Sequence, residues 1–231
     1  MSNHNTIYQQ EAARYDALVM REDKDGHLLP AIEKHRTLSG IYVVESGAGT
    51  GRLTAQIAPL ARSVKAFDLS AHMLGAATAK LQSLGLDNWH TNVADHRDIP
   101  LPDNCADLVI SGWSVCYLNN KQREDWQTPF LDAVAEFKRL LRPDGSLIII
   151  ETEGTGVTAP NPPDSMHNYL GLLKELGFQW EWIRTDYCFA SWDEVHELVP
   201  FFFGEAMLDA CYTGEGGVIL PECTGIWHWK E

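Results

Sequence analysis

Apolar residues fall into short blocks whose spacing changes along the chain. From Ile7 to Val19 they recur as Ile7, Tyr8, Ala12, Tyr15, Leu18 and Val19, the three-and-four spacing of a helix. Glu22 to Gly26 is a polar break. Ile41-Tyr42-Val43-Val44 is a compact β-rich run that stops at a glycine cluster, and Leu53 to Ala61 returns to helical spacing. Ser63 to Phe67 reads as a second strand ending at Asp68. Ser70 is placed to cap a helix through Leu84, with Gly85 as its stop. Trp89 to Val93 and Ala106 to Ser111 read as further strands on either side of a turn-rich loop, Pro100 to Asp107. Thr128 and Pro129 open a helix to about Leu141. Arg142-Pro143-Asp144-Gly145 is a turn, and Ser146 to Ile150 is a strand with the unbroken apolar run Leu147-Ile148-Ile149-Ile150.

Strands and helices therefore alternate from residue 41 to 150, and continuous apolar runs fit strands buried on both faces. That is the pattern of a parallel sheet covered by helices. The remainder reads as a loop over Gly154–Asp164, a helix over Asn168–Leu176, a strand over Trp180–Phe189, a helix over Asp193–Ala210 and a last strand over Thr224–Trp229. No internal repeat or low-complexity tract interrupts the series.

Composition narrows the function. The 231 residues carry 18 basic and 32 acidic side chains, a net charge of −14, with 45% hydrophobic residues. That apolar content supports a core and excludes global disorder. The acidic balance argues against nucleic acid or an anionic membrane as partner. No run approaches the roughly 18 apolar residues that span a bilayer. Met1 to Gln10 lacks the apolar stretch of an export signal, so a cytoplasmic protein with reduced thiols is expected. The charge is uneven: residues 1–142 hold 15 basic and 17 acidic side chains, whereas 143–231 hold 3 against 15. The five cysteines form no CxxC pair and the nine histidines no HxxxH or HExxH pattern, so no metal site is expected.

The segment richest in chemistry is Glu45-Ser46-Gly47-Ala48-Gly49-Thr50-Gly51, directly after a strand and before a helix. Glycines there allow a sharp turn and close approach of backbone to a ligand, and the following helix directs free N–H groups toward it. Asp68 ends the next strand, 21 residues after Gly47, where an acid can accept both hydroxyls of a ribose. A nicotinamide fingerprint starting at Gly47 requires glycine or alanine at position 52, which is Arg52. A P-loop is excluded because no GK[ST] follows.

The resulting ExGxGxG pattern resembles motif I of the class I S-adenosylmethionine-dependent methyltransferases. The likeness continues through Val93–Asn104, an acidic loop after the third strand, Asp107–Ser111, the fourth strand, and Leu140–Gly145, the turn before the fifth. Together these segments span residues 41–151 and are most similar to the type 11 small-molecule branch that includes the ubiquinone and menaquinone methyltransferases. The resemblance implies an α/β, Rossmann-like doubly wound sheet of seven mostly parallel strands with an antiparallel last strand. It implies a single domain over 1–231, with 1–40 as a helical cap, 41–151 as the cofactor-binding core, and 152–231 as an acidic part completing the sheet and the substrate side.

It also implies S-adenosyl-L-methionine as cofactor and particular contacts. Gly47, Gly49 and Gly51 would pack under the methionyl part. Glu45 would lie near its amino group or hold the loop by a hydrogen bond. Asp68 would bind the ribose diol, Leu69 and Met73 would face the adenine, Asp95 would accept from the adenine amino group, and the His96 backbone N–H would donate to the ring. The acceptor would be a small molecule above the C-terminal strand ends. Ser111, Gly112, Trp113, Cys116 and Tyr117 are placed to line its pocket, and Tyr8 and Tyr15 to close it. The acidic C-terminal part reads either as a solvated face or as a source of groups, Glu151, Glu153, Asp186 or Glu205, that would bias the pocket toward cationic or neutral acceptors. No catalytic base is assigned, His167 and His196 included, and acceptor atom and oligomeric state stay open. A non-catalytic module binding S-adenosylmethionine or S-adenosylhomocysteine, and a nicotinamide oxidoreductase, remain alternatives.

Overall fold

The computed structural model describes residues 4–119 and 125–230. Five strands from the first two thirds of the chain lie side by side and parallel: β1 (Tyr42–Ser46), β2 (Ser63–Asp68), β3 (Trp89–Val93), β4 (Ala106–Gly112) and β5 (Leu141–Thr155). Later strands complete and extend them: β6 (Gln179–Arg184), β7 (Tyr187–Phe189), β8 (Tyr212–Gly214), β9 (Gly217–Leu220) and β10 (Glu222–Lys230). The main sheet has the order β3-β2-β1-β4-β5-β10-β6, with β10 antiparallel to both neighbours. Its seven strands, mostly parallel with an antiparallel last strand, make the Rossmann-like sheet expected from the sequence.

The helices follow the apolar spacing. An N-terminal group comprises α1 (His4–Gln10), α2 (Ala12–Val19) and α3 (Leu28–His35). The crossover helices are α4 (Arg52–Ile57), α5 (Ala71–Ser83), α6 (Thr128–Leu140), α7 (His167–Glu175) and α8 (Trp192–Phe203). In β5 the run of isoleucines divides by strand alternation. Ile149 packs with Phe130 and Phe137 of α6 and Tyr169 of α7, whereas Ile148 and Ile150 pack with Leu28, Ile32, Leu53 and Ile57 on the other face. Each is fully buried, worth roughly 1.5–3 kcal/mol of transfer free energy.

Several elements differ from the sequence expectation. The helix expected over Ile7–Val19 is broken at Glu11 into α1 and α2. The Arg142–Gly145 turn is a bulge inside β5: Leu141 pairs with Ala106 and Ser146 with Leu108, and the residues between loop out. The strand also runs on through Thr155, into the expected loop, because β10 pairs with it up to Glu222↔Thr155. The expected helix to Ala210 ends at Phe203, where Gly204 takes a positive φ of 89° and a 3-10 turn, Glu205–Ala210, follows.

The expected strand Trp180–Phe189 is two strands in two sheets. The break lies at Thr185 and Asp186, whose carbonyls accept the N–H groups of Asp23 and Lys24. With those positions occupied by the N-terminal segment, the chain leaves the main sheet and β7 enters a second sheet, β7-β9-β8, antiparallel throughout. Leu18 of α2 and Val195, Leu198 and Val199 of α8 form a common apolar cluster with this small sheet.

Candidate active site

The order β2-β1-β4 reverses direction at β1, and a cavity of about 1080 Å³ opens beyond the C-terminal strand ends at that point. Ser46 ends β1, and Gly47, Gly49 and Gly51 follow with φ of 81°, 55° and 78°, a backbone that side chains disfavour. The N–H groups of Gly47 and Ala48 both donate to the Phe67 carbonyl, at 2.7 and 2.9 Å, tying the turn to β2. A Cβ on Gly47 would lie 2.0 Å from Ser114 Oγ, whereas one on Gly49 would meet nothing nearer than Met73 Cε at 3.8 Å, on the cavity side.

Asp68 completes the turn. Its Oδ2 accepts the Gly49 N–H at 2.8 Å and its Oδ1 the Ser70 N–H at 2.8 Å. Burial raises its pKa, while the Ser70, Gly49 and Leu69 N–H groups oppose the rise. Ser70 caps α5 by accepting the Met73 N–H, and its hydroxyl donates to the Tyr8 carbonyl, joining α1 to this edge. Glu45 is buried, accepts Thr54 Oγ1–H at 2.5 Å and is pushed up to about 7 by desolvation.

Glu45, Gly47, Gly49, Asp68, Leu69, Met73, Asp95 and His96 all line this cavity, as do Tyr8, Tyr15, Trp113 and Tyr117. Gly51 does not. It faces α5, where a Cβ would stand 3.0 Å from Ala77 Cβ, so it serves close helix packing and the N-cap of α4. Asp95 is held by Arg97, whose Nε and Nη2 donate to its two oxygens at 2.7 Å, and this pairing pulls its pKa down to about 2. The His96 ring has a structural role that the motif did not disclose. Its nitrogens bond Ser46 Oγ at 2.6 Å and Ser114 Oγ at 3.1 Å, clasping β1 to the segment after β4, and burial lowers its pKa to about 4.

Aromatic residues line the same cavity. The Tyr8 and Tyr117 hydroxyls are 2.7 Å apart, and Tyr8 meets Tyr15 edge-on at 5.4 Å. Trp113 has φ 49°, a costly value for a bulky residue. Its N–H donates to the Ile150 carbonyl at 2.7 Å, and the Arg52 guanidinium lies 4.2 Å over its ring. Cys116 and Gly112 also face the cavity, whereas Ser111 is buried in β4.

Of the four acids expected to shape the acceptor side, Glu151 lines the cavity and the others do not. Glu153 accepts Trp180 Nε1–H, Asp186 is paired with Arg184, and Glu205 lies in the 3-10 turn after α8. Acids and polar groups outside the expected set stand there instead. Glu22 pairs with Arg52 and accepts from Thr185 and Tyr187, and Glu222 accepts Thr152 Oγ1–H at 2.6 Å. Phe202 and Phe203 of α8 complete the wall. Neither stood out in the sequence: Glu222 lay just before the last strand as read there, Thr224–Trp229, and Glu22 in an ordinary polar break.

The residues present suit S-adenosylmethionine. The Gly49 side of the turn is open to the cavity, Thr50 Oγ1 is buried there without a protein partner, and carboxyl groups at 45 and 68 suit a ligand bearing ammonium and sulfonium charge. Among the described residues, no group of three or more His, Cys, Asp or Glu could hold a metal ion, and no helix is long and apolar enough to cross a membrane.

Comparison with known proteins agrees with this geometry. Residues 44–149 match the family described as methyltransferase domain. The chain is 30% identical over 174 residues to malonyl-[acyl-carrier protein] O-methyltransferase of Yersinia pestis, covering 75% of this chain and 53% of that protein. It is 29% identical over 153 residues to a ubiquinone/menaquinone biosynthesis C-methyltransferase of Stutzerimonas stutzeri, covering 63% of this chain and 56% of that one. The chain thus spans about half the length of these curated relatives. The crystal structure of a SAM-dependent methyltransferase from Aquifex aeolicus superposes with a TM-score of 0.56 at 19% identity, covering 86% of this chain and 87% of that one, a likeness of fold. With the glycine turn, its Asp68 clamp and the seven-stranded sheet on the same residues, residues 44–149 carry the methyltransferase domain, and the chain is similar to class I S-adenosylmethionine-dependent methyltransferases of the ubiquinone/menaquinone type.

Proposed function

We propose that the protein transfers a methyl group from S-adenosylmethionine to a small-molecule acceptor, with residues 1–231 acting as one domain. The observation that carries this is that one cavity is lined both by the glycine turn and Asp68 and by Trp113, Tyr117, Glu151 and the aromatic residues of α2 and α8. A volume of about 1080 Å³ is enough for a cofactor together with a small acceptor. When bound, S-adenosylmethionine supplies an electrophilic methyl on a sulfonium.

The chain's own residues align and enclose. Gly47 and Gly49 admit the methionyl part to the backbone, Asp68 holds the ribose diol, and Leu69, Met73, Asp95 and the His96 N–H surround the adenine. Gly51 supports the turn from behind. Tyr8, Tyr15, Trp113 and Tyr117 exclude water from the acceptor side, which raises the reactivity of a positioned nucleophile. The relatives' names include both an O- and a C-methyltransferase, so the acceptor atom is left open. A cytoplasmic setting without a nucleic-acid partner goes with this reading, supported by five free thiols and the net charge of −14.

The test is incubation of the purified chain with methyl-labelled S-adenosylmethionine and the small-molecule fraction of a cell extract. Label in a discrete product is expected. Tight binding with no transfer to any fraction would favour a non-catalytic binding module, and calorimetry showing tight nicotinamide binding without S-adenosylmethionine binding would favour an oxidoreductase.

A further inference from the structure

Two carboxyl groups on the cavity wall keep a buried oxygen with no hydrogen-bond partner, Glu151 Oε2 and Glu222 Oε2. Glu222 lies among Thr152, Glu22 and Arg52, and its first oxygen is held by Thr152 while Glu22 and Arg52 beside it form an ion pair. Glu151 follows Ile150, the residue of β5 paired with the last residue of β4. Its Oε1 accepts Tyr169 OH at 2.8 Å and the Cys116 N–H at 3.2 Å, the Cys116 thiol lies beside the same carboxyl group, and Oε2 accepts no hydrogen bond. Cys116 sits in the 3-10 turn Val115–Leu118, directly after Ser114, the residue packed against Gly47. One short segment therefore couples this carboxyl to the glycine turn.

Several other proton-accepting groups on the wall are engaged, and Glu45, whose Oε2 accepts Thr54 Oγ1–H, stands at the foot of the glycine turn, where the methionyl part of the cofactor rather than the acceptor is expected. Both His96 nitrogens are bonded to serines, and both Asp68 oxygens accept backbone N–H groups. Both Asp95 oxygens bind Arg97, and both Glu22 oxygens accept hydrogen bonds from Thr185, Arg52 or Tyr187.

Building on the methyltransferase reading, we propose that Glu151 is the general base of the transfer and that the acceptor reacts through a group carrying a removable proton, a hydroxyl or a protonated amine. The proton leaves the acceptor atom for Glu151 Oε2, the electron pair freed on that atom forms the bond to the methyl carbon, and the carbon–sulfur bond breaks with its pair on sulfur. The carboxylic acid then returns its proton to solvent.

The surroundings match this task. Facing Glu151 are Tyr169 from α7, Cys116 and Tyr117 from the turn after β4, and Glu153 on its own strand. Burial pushes Glu151 up to about 7, with Tyr169 and Cys116 opposing and Glu153 adding to the rise. A base near neutrality is both available and strong enough to drive proton transfer.

The experiment uses the full chain, methyl-labelled S-adenosylmethionine and the small-molecule extract as acceptor pool, from about pH 5.5 to 9. Wild-type transfer should rise through a limb near 7. Glu151→Gln should bind S-adenosylmethionine as wild type does, lose transfer by about 10²–10⁴-fold and lose that limb. Tyr169→Phe should retain transfer but move the limb to higher pH, because the hydrogen bond that favours the carboxylate is gone. It keeps the proposal exposed to refutation should Glu151→Gln fail to fold. Transfer by Glu151→Gln at the wild-type rate, a limb unmoved by Tyr169→Phe, or label on a group that never carried a proton would each overturn the base while leaving the methyltransferase reading intact. Cofactor binding by wild type without any transfer would instead overturn that reading, and the base with it.

Discussion

One carboxylate oxygen of Asp68 and the backbone N–H of Gly49 are joined at 2.8 Å, so the acid at the end of β2 shapes the glycine turn at the end of β1. The same side chain is thus assigned two tasks, holding the turn and receiving the ribose. Asp68→Ala removes both. S-adenosylmethionine affinity measured by calorimetry should fall by about 10–100-fold, the loss expected for hydrogen bonds to a charged group. Asp68→Asn, which keeps one acceptor oxygen, should fall between. Unchanged affinity in the alanine variant would remove Asp68 from the cofactor site.

Gly47 is fixed by two independent constraints, a φ of 81° and a Cβ position 2.0 Å from Ser114 Oγ. Gly47→Ala should therefore lower stability by about 1–3 kcal/mol and displace the His96–Ser114 clasp. Adding Ser114→Gly removes the clash but not the backbone strain, so thermal unfolding of the double variant should recover part of the loss. Full recovery would show that the clash alone matters.

The cofactor end was legible in the sequence because its requirements are local. A turn of closely spaced glycines and an acid at the next strand end lie within 22 residues, and each has a backbone reason. Gly51 shows where that reading blurs: its motif position marks a glycine, but a φ of 78° and close packing against Ala77, rather than approach to a ligand, are what require it. The acceptor end depends on residues far apart. Glu22, Arg52, Tyr187 and Glu222 meet because Asp23 and Lys24 bond to Thr185 and Asp186 and redirect the chain into a second sheet. A continuous β-rich run such as Trp180–Phe189 has no glycine or proline to announce that crossing.

The same convergence makes Arg52 a structural hinge of the acceptor side. Its side chain is 9% exposed and that of its partner Glu22 3%, and it also donates to the Val19 carbonyl and covers Trp113. Arg52→Met leaves a buried carboxylate uncompensated, which costs roughly 3–5 kcal/mol. Urea unfolding should show this loss, and the double variant with Glu22→Gln should regain much of it. If the double variant is as unstable as the single one, packing over Trp113 rather than charge pairing is the main contribution.

Glu222 gives a pH signature of opposite sign to an ordinary salt-bridged acid. Burial and the neighbouring Glu22 raise it to about 8 from 4.5, with Thr152, Thr155 and Arg52 opposing. The folded state then holds a proton that the unfolded chain has released, so its contribution to stability is full below about 4.5 and is lost as pH rises toward 8. Glu222→Gln keeps an oxygen to accept from Thr152 and cannot ionise. Its melting temperature relative to wild type should therefore climb steadily between pH 5 and 9, by the equivalent of about 1–3 kcal/mol. A gap that stays constant across that range would mean that Arg52 keeps Glu222 a carboxylate in the folded state, so that neither state changes protonation above pH 5.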